Sequence, residues 1–85
     1  MTREELESIF ELEYVKWDGD NALQGLNILS VYAKHDTLVD AEHDIIYSVD
    51  IDDALENGLT EGDAKKLQKL NWMIWEEFNN FACFI

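Results

Sequence analysis

Leu6, Ile9, Phe10, Tyr14 and Trp17 recur at the three- and four-residue spacing of one helical stripe, while Glu4, Glu7 and Glu11 fall on another face. Thr2-Arg3-Glu4-Glu5 ahead of them has the form of a capping box: the Thr2 hydroxyl takes one free amide and Glu5 reaches back to another. Turn residues in Trp17-Asp18-Gly19-Asp20 end the pattern, and Asp18 or Asp20 can cap a second helix. Its stripe is Ala22, Leu23, Leu26, Leu29, Tyr32 and Ala33, widened by Ile28 and Val31. Hardly any charge falls on it before Lys34, so it is expected to be the most buried element. Gly25 within it costs about 1 kcal/mol relative to alanine, which points to a neighbouring element packed close against the helix.

Beyond residue 34 the periods change. His35 to Glu42 reads as a polar connection, and His43 to Val49 as a strand carrying the β-favouring Ile45, Ile46, Tyr47 and Val49. Asp50 caps a short helix with Asp53 three residues on, and Gly58 stops it. The same grammar returns at Thr60, with Asp63 as partner and Leu59 as a staple toward Ala64. Ala64, Leu67 and Leu70 face inward, Lys65, Lys66 and Lys69 face out, and Asn71 ends the helix. Residues 72–75 and 81–85 alternate too closely for a helix and form a hairpin about Glu77-Phe78-Asn79-Asn80. The expected fold is a two-layer α+β domain spanning residues 1–85, with about four helices on one face of a three-stranded antiparallel sheet.

Composition narrows the function classes. Cys83, alone and flanked by Ala82 and Phe84, has no partner for an internal disulfide and reads as a buried small apolar residue. No apolar run approaches the ~20 residues of a membrane span. The first residues have neither the basic region nor the apolar stretch of a signal peptide, so the expected location is cytoplasmic. Catalysis is not expected: there is no glycine-rich phosphate loop, no Ser-His-Asp pattern and no His-Glu-x-x-His. Asp18-Gly19-Asp20-Asn21 places its glycine too early for a calcium loop. His35 and His43 lack the cysteine partners of a zinc site. No cofactor or metal is expected.

Charge is where the chain departs from an ordinary globule. Nineteen acids against six bases leave a formal −13. Such a surface repels nucleic acid and anionic membrane and attracts basic proteins. The acids cluster: from Asp36 to Asp63 lie Asp36, Asp40, Glu42, Asp44, Asp50, Asp52, Asp53, Glu56 and Glu61, with no lysine or arginine between them.

The stretch His43-Asp44-Ile45-Ile46-Tyr47, then Gly58-Leu59-Thr60-Glu61-Gly62-Asp63-Ala64 through Leu70-Asn71-Trp72, and the acidic turn before Ala82-Cys83-Phe84-Ile85, resembles small acidic proteins of phages and bacteria. The resemblance covers residues 41–85 and brings no catalytic residues with it. It is similar in kind to strongly acidic phage proteins that inhibit host defence or host DNA-binding enzymes. The proteins it resembles have no characterised function, and what the broader likeness implies is an inhibitor of host defence or of a host DNA-binding enzyme.

The charge itself points the same way. Duplex DNA carries one negative charge per ~1.7 Å of axis, and proteins that bind it do so mainly through lysine and arginine. Carboxylates in comparable positions can occupy the DNA channel of such a protein. The expected contact residues are Asp36, Asp40, Glu42, Asp50, Asp52, Asp53, Glu56 and Glu61 as phosphate surrogates. Phe78 joins them as an aromatic anchor beside Glu76 and Glu77, or else folds back under its turn. The expected partner is a basic, nucleic-acid-binding protein, with no direct contact to nucleic acid or membrane. Three readings compete with this one: the acids are a solvated face with helix caps among them, the chain self-associates through apolar surface and its charge serves solubility, or Asp50, Asp52 and Asp53 serve a cation-dependent enzyme.

Overall fold

The computed structural model describes residues 1–12 and 20–85. Its elements in order are α1 (Arg3–Glu11), α2 (Asn21–Ser30), β1 (Asp40–Glu42), β2 (Ile45–Asp50), α3 (Ile51–Glu56), α4 (Glu61–Lys69), β3 (Met73–Trp75) and β4 (Asn80–Phe84). The strands make one antiparallel sheet in the order β1-β2-β4-β3. The α+β class is the one expected, but the sheet has four strands and not three.

The additional strand, β1, lies inside the segment 35–42 that reads as a polar connection. Asp40-Ala41-Glu42 has neither apolar alternation nor strand-favouring side chains, so composition does not mark it. A neighbour makes it a strand. His43 takes a left-handed φ of 48°, which histidine adopts more readily than most residues. The chain thus reverses through His43 and Asp44, pairing Glu42 with Ile45 and Asp40 with Tyr47. Two carboxylates then stand on the outermost strand, where charge discourages further edge pairing.

The cap signals translate directly. Thr2 and Glu5 form the reciprocal box, Asp50 Oδ1 accepts from the Asp53 amide at 3.1 Å, and Thr60 Oγ1 accepts from the Asp63 amide at 3.1 Å. Gly58 (φ 87°), Asn71 (φ 69°) and Asn79 (φ 57°) supply the left-handed residues that end α3, end α4 and close the β3–β4 turn. Tyr14, Trp17 and the alternative cap Asp18 lie outside the described residues. Asp20 stands at the N-cap of α2 without a side-chain capping bond.

The main core fills the space between the helices and one sheet face, with Leu6, Leu29, Ile51, Leu67 and Phe81 fully buried. The expectation that α2 is the most buried element is overturned. Only Gly25 and Leu29 of α2 are buried, while Leu23 is 54% and Val31, just past its end, 73% exposed. Among the described elements the helix packs chiefly against α4 and β2, and an uncharged sequence does not by itself supply neighbours for the rest. Burial is deepest in β2, where Ile45 through Val49 are all enclosed.

Gly25 does mark a close approach. A Cβ built there would stand 1.8 Å from Trp72 Nε1. The buried indole lies against the helix backbone and donates to the Asn21 carbonyl at 3.0 Å. The Asn21 side chain in turn donates to the Leu70 carbonyl at 2.8 Å and to Cys83 Sγ at 3.4 Å, tying α2 to the end of α4 and to β4. Cys83 is fully buried, and that burial pushes its thiol above the usual range.

A bulge divides β2 between the two sheet faces. Its register against β4 shifts between Tyr47 and Asp50. Ile46 and Val49 therefore join the main core, while Ile45 and Tyr47 belong to a second cluster on the opposite face. Asn80 Nδ2 donates to the Ser48 carbonyl at 2.8 Å, satisfying backbone that the ladder leaves free.

Candidate functional site

The acidic run does not form one face. At the α3 end, Asp50 is occupied with the cap of α3, and Asn79 Nδ2 donates to Asp52 at 2.9 Å. Arg3 Nη1 lies 4.0 Å from Asp52 and donates to Asn79 Oδ1 at 2.6 Å. Lys34 pairs with both Asp53, at 3.6 Å, and Glu56. Glu61 pairs with Lys65 at 2.9 Å, one helical turn on. Five of the eight expected phosphate surrogates therefore serve helix starts and local ion pairs. The charge they present outward is partly cancelled.

Asp36, Asp40 and Glu42 are the other three, and all are exposed. Among the described residues no Lys or Arg reaches them within ion-pair distance. Asp40 and Glu42 stand on β1 beside Asp44 of the turn. On the far side of the sheet the β3–β4 turn presents Glu76 and Glu77, also exposed. Residues 40–50 and 73–85, which make up the sheet and its turns, contain six acids and no Lys or Arg. The described cations belong elsewhere: Arg3 to α1, Lys65, Lys66 and Lys69 to α4, and Lys34 to the segment that meets α3. Folding sorts charge between the layers in a way that the linear run from Asp36 to Asp63 does not reveal.

The sheet face turned away from the helices is aromatic. Antiparallel sheets in two-layer folds commonly expose a polar second face. Here Tyr47, Met73 and Trp75 gather around Ala82, which is fully buried between them. Tyr47 and Met73 are its cross-strand partners on β2 and β3. The rings meet edge to face, with Tyr47–Phe78 at 5.4 Å and 82°, Tyr47–Trp75 at 5.9 Å and 67°, and Trp75–Phe84 at 6.3 Å and 77°. Such pairs contribute about 0.5–1.5 kcal/mol each beyond burial.

Phe78 packs its ring against Tyr47 yet stays 51% exposed, and Phe84 is 50% exposed on the same face. The Trp75 indole N–H is shielded from solvent and has no acceptor among the described residues, a cost of about 1–3 kcal/mol. Tyr47 was legible only as a residue of the strand from His43 to Val49, and Trp75 and Phe84 only as hairpin residues. Their convergence depends on the small side chain of Ala82 beneath them.

The Tyr47 hydroxyl meets the acidic rim. It lies 3.3 Å from Glu42 Oε2, and its pKa is raised above the usual phenol value, first by burial and then by the negative charges of Glu42, Glu77 and Asp40. Tyr32 is raised as well, first by burial and then by donating to Asp63. A phenol raised by folding contributes stability that is whole below its unfolded value, about 10. That contribution is lost as pH climbs from there through the folded value. The melting temperature is thus expected to fall above about pH 10. Tyr47→Phe, followed by thermal denaturation across that range, should flatten part of the fall.

Open clefts lie along the helical layer. One of about 370 Å³ runs between α1 and β3, past Phe10, Ile74 and Glu76; another of about 530 Å³ lies between α2 and α4, past Ile28 and Lys66. Neither gathers a nucleophile with a base. Among the described residues no group of three His, Cys, Asp or Glu side chains is placed to hold a metal ion, and no helix is long and apolar enough to cross a membrane. No protein-family model, no curated protein and no solved structure matches the chain.

Proposed function

We propose that this chain is an acidic inhibitor that binds a basic, nucleic-acid-binding host protein in the cytoplasm and blocks its nucleic-acid site, as a DNA mimic of the anti-restriction or anti-CRISPR kind. The observation that carries the reading is the charge of the sheet layer: Asp40, Glu42, Asp44, Glu76 and Glu77 with no lysine or arginine in the strands or their turns. A folded chain retains uncompensated like charge at a cost in self-repulsion. Solubility needs far less than −13. Carboxylates held by a sheet present charge at fixed spacing, as a duplex does, and a basic groove meets them without ordering a flexible chain.

Self-association is the competing reading, and the aromatic sheet face is what favours it. Salt separates the two. Binding through many exposed carboxylates weakens steeply as ionic strength rises, because charges farther apart than about 8–10 Å are screened. An apolar dimer interface holds or tightens. The test is capture on the immobilised chain from bacterial lysate at low salt, followed by a salt gradient. The expected result is one basic protein, eluted early in the gradient and released equally by added duplex DNA. A captured protein that ignores DNA, or one that survives high salt, would count against mimicry.

A further inference from the structure

The open face of the sheet is the largest feature that the distribution of charge does not explain. Its rings are hydrophobic and packed against one another, with Phe78 and Phe84 half-exposed, Trp75 less so and Tyr47 buried among them, and acids stand beside them on β1 and in the β3–β4 turn. We infer that this face, Tyr47, Trp75, Phe78 and Phe84 within a rim of Asp40, Glu42 and Glu77, is the seat for an arginine-bearing segment of the basic partner. The inference rests on the reading above, and it names where that partner is gripped and by which of its side chains.

Charge complementarity selects the occupant. The negative charges of Asp40, Glu42 and Glu77 all act on Tyr47, so carboxylates from β1 and from the β3–β4 turn lean on its aromatic centre. A second copy of the chain docked face to face would press these rims together, each on a body of net charge −13. Nucleic acid and anionic lipid meet the same repulsion. A cationic partner is the occupant whose charge suits the rim.

Arginine suits this seat better than lysine. Its guanidinium is planar and weakly hydrated, it stacks on aromatic rings, and its fork of donors matches a carboxylate at two points. Ring planes crossed at 67°, 77° and 82° make the patch corrugated, with clefts between rings and not a flat apolar sheet. The rings are already ordered by their mutual contacts, which reduces the entropy lost on binding. The half-exposed Phe78 and Phe84 are the rings with the most room to engage.

An NMR titration of the full chain at low salt with oligoarginine and oligolysine peptides of equal length tests this. The expected result is that the Trp75 indole and the Tyr47 and Phe78 ring signals move on adding oligoarginine, which binds about 3–10-fold tighter than oligolysine. Phe78→Ala, checked for an unchanged circular dichroism spectrum, should remove most of that preference. Glu42→Gln with Glu77→Gln should weaken both peptides while preserving their ratio. If both peptides bind equally, the rings stay unmoved and Phe78→Ala binds as the parent does, the seat is wrong while acidic binding stands. If neither peptide binds, the acidic-binder reading fails and the seat fails with it. Concentration-dependent ring shifts without peptide would make the occupant a second copy, and would overturn the proposal.

Discussion

Gly25→Ala is expected to lower stability by about 2–4 kcal/mol, although alanine is the better helix former by about 1 kcal/mol. The new Cβ would overlap the Trp72 pyrrole edge, 1.8 Å from Nε1 and 2.2 Å from Cε2. Neither side yields easily. Trp72 is buried, and its N–H is committed to the Asn21 carbonyl. Moving the ring breaks that bond and leaves a buried donor or acceptor unpaired, at about 1–3 kcal/mol. Moving α2 instead disturbs the two side-chain bonds of Asn21 to Leu70 and Cys83. In a domain of this size each kcal/mol shifts the melting temperature by about 4–8 °C. Thermal denaturation should therefore register a drop of about 8–32 °C, a substantial part of the margin of a small domain.

A double-mutant cycle identifies the cause. Trp72→Leu removes the indole and is itself costly, but in that background Gly25→Ala should cost little or become favourable. The coupling between the two substitutions is then large. If Gly25→Ala is as stable as the parent, the close approach of Trp72 to the helix is wrong.

The second large effect concerns binding. Converting Asp40, Glu42, Glu76 and Glu77 together to their amides is expected to reduce affinity for a basic partner by about 10–100-fold at low salt. The matched set at the helical end, Asp52, Asp53, Glu56 and Glu61, is expected to matter much less per charge. Each carboxylate in the first set is exposed without a described cation, so its field is available to a partner. Those in the second already face Arg3, Lys34 or Lys65. Exposed pairs contribute only about 0.2–1 kcal/mol each, so the loss must come from several removed together. Isothermal titration with oligoarginine, or with the captured protein, compares the two sets at equal change in net charge. Equal losses would mean that net charge alone governs binding and that the sheet layer has no special part.

The first set should also reduce the salt dependence of binding, since fewer screened contacts remain. The second set should weaken the local structure of α3. Asp52 meets both Arg3 and Asn79 there, and Lys34 bridges Asp53 and Glu56. A stability loss without a binding loss is the signature of residues that hold an element in place.

How much was legible in the sequence depended on the range of the interaction. Thr2, Asp50 and Thr60 were readable as caps because a cap bonds to an amide three residues away, and such geometry needs no other part of the chain. Gly58, Asn71 and the β3–β4 hairpin were readable for the same reason: left-handed φ and strict alternation are local properties. Gly25 announced a close contact, since glycine within a helix has a cost that something must offset, but the indole of Trp72, 47 positions away, was not nameable.

Tertiary structure alone decided the rest. Asp40-Ala41-Glu42 became a strand because β2 lay beside it, not because of its own side chains. The acidic run, continuous in sequence, was divided by folding into a paired cluster around α3 and one on the sheet with no ion-pair partner among the described residues, since Arg3 and Lys34 reach the first from α1 and from beyond α2. Tyr47, Trp75, Phe78 and Phe84 come from two strands, a turn and a third strand, and only the register of β2, β4 and β3 over Ala82 brings them together. Amino-acid order determined the helix starts, the turns, the α+β class and the total charge, because each is set within a few residues or by simple addition. Which charges stand free, and which rings share a face, is set by pairing between residues far apart in sequence, and so exists only once the chain has folded.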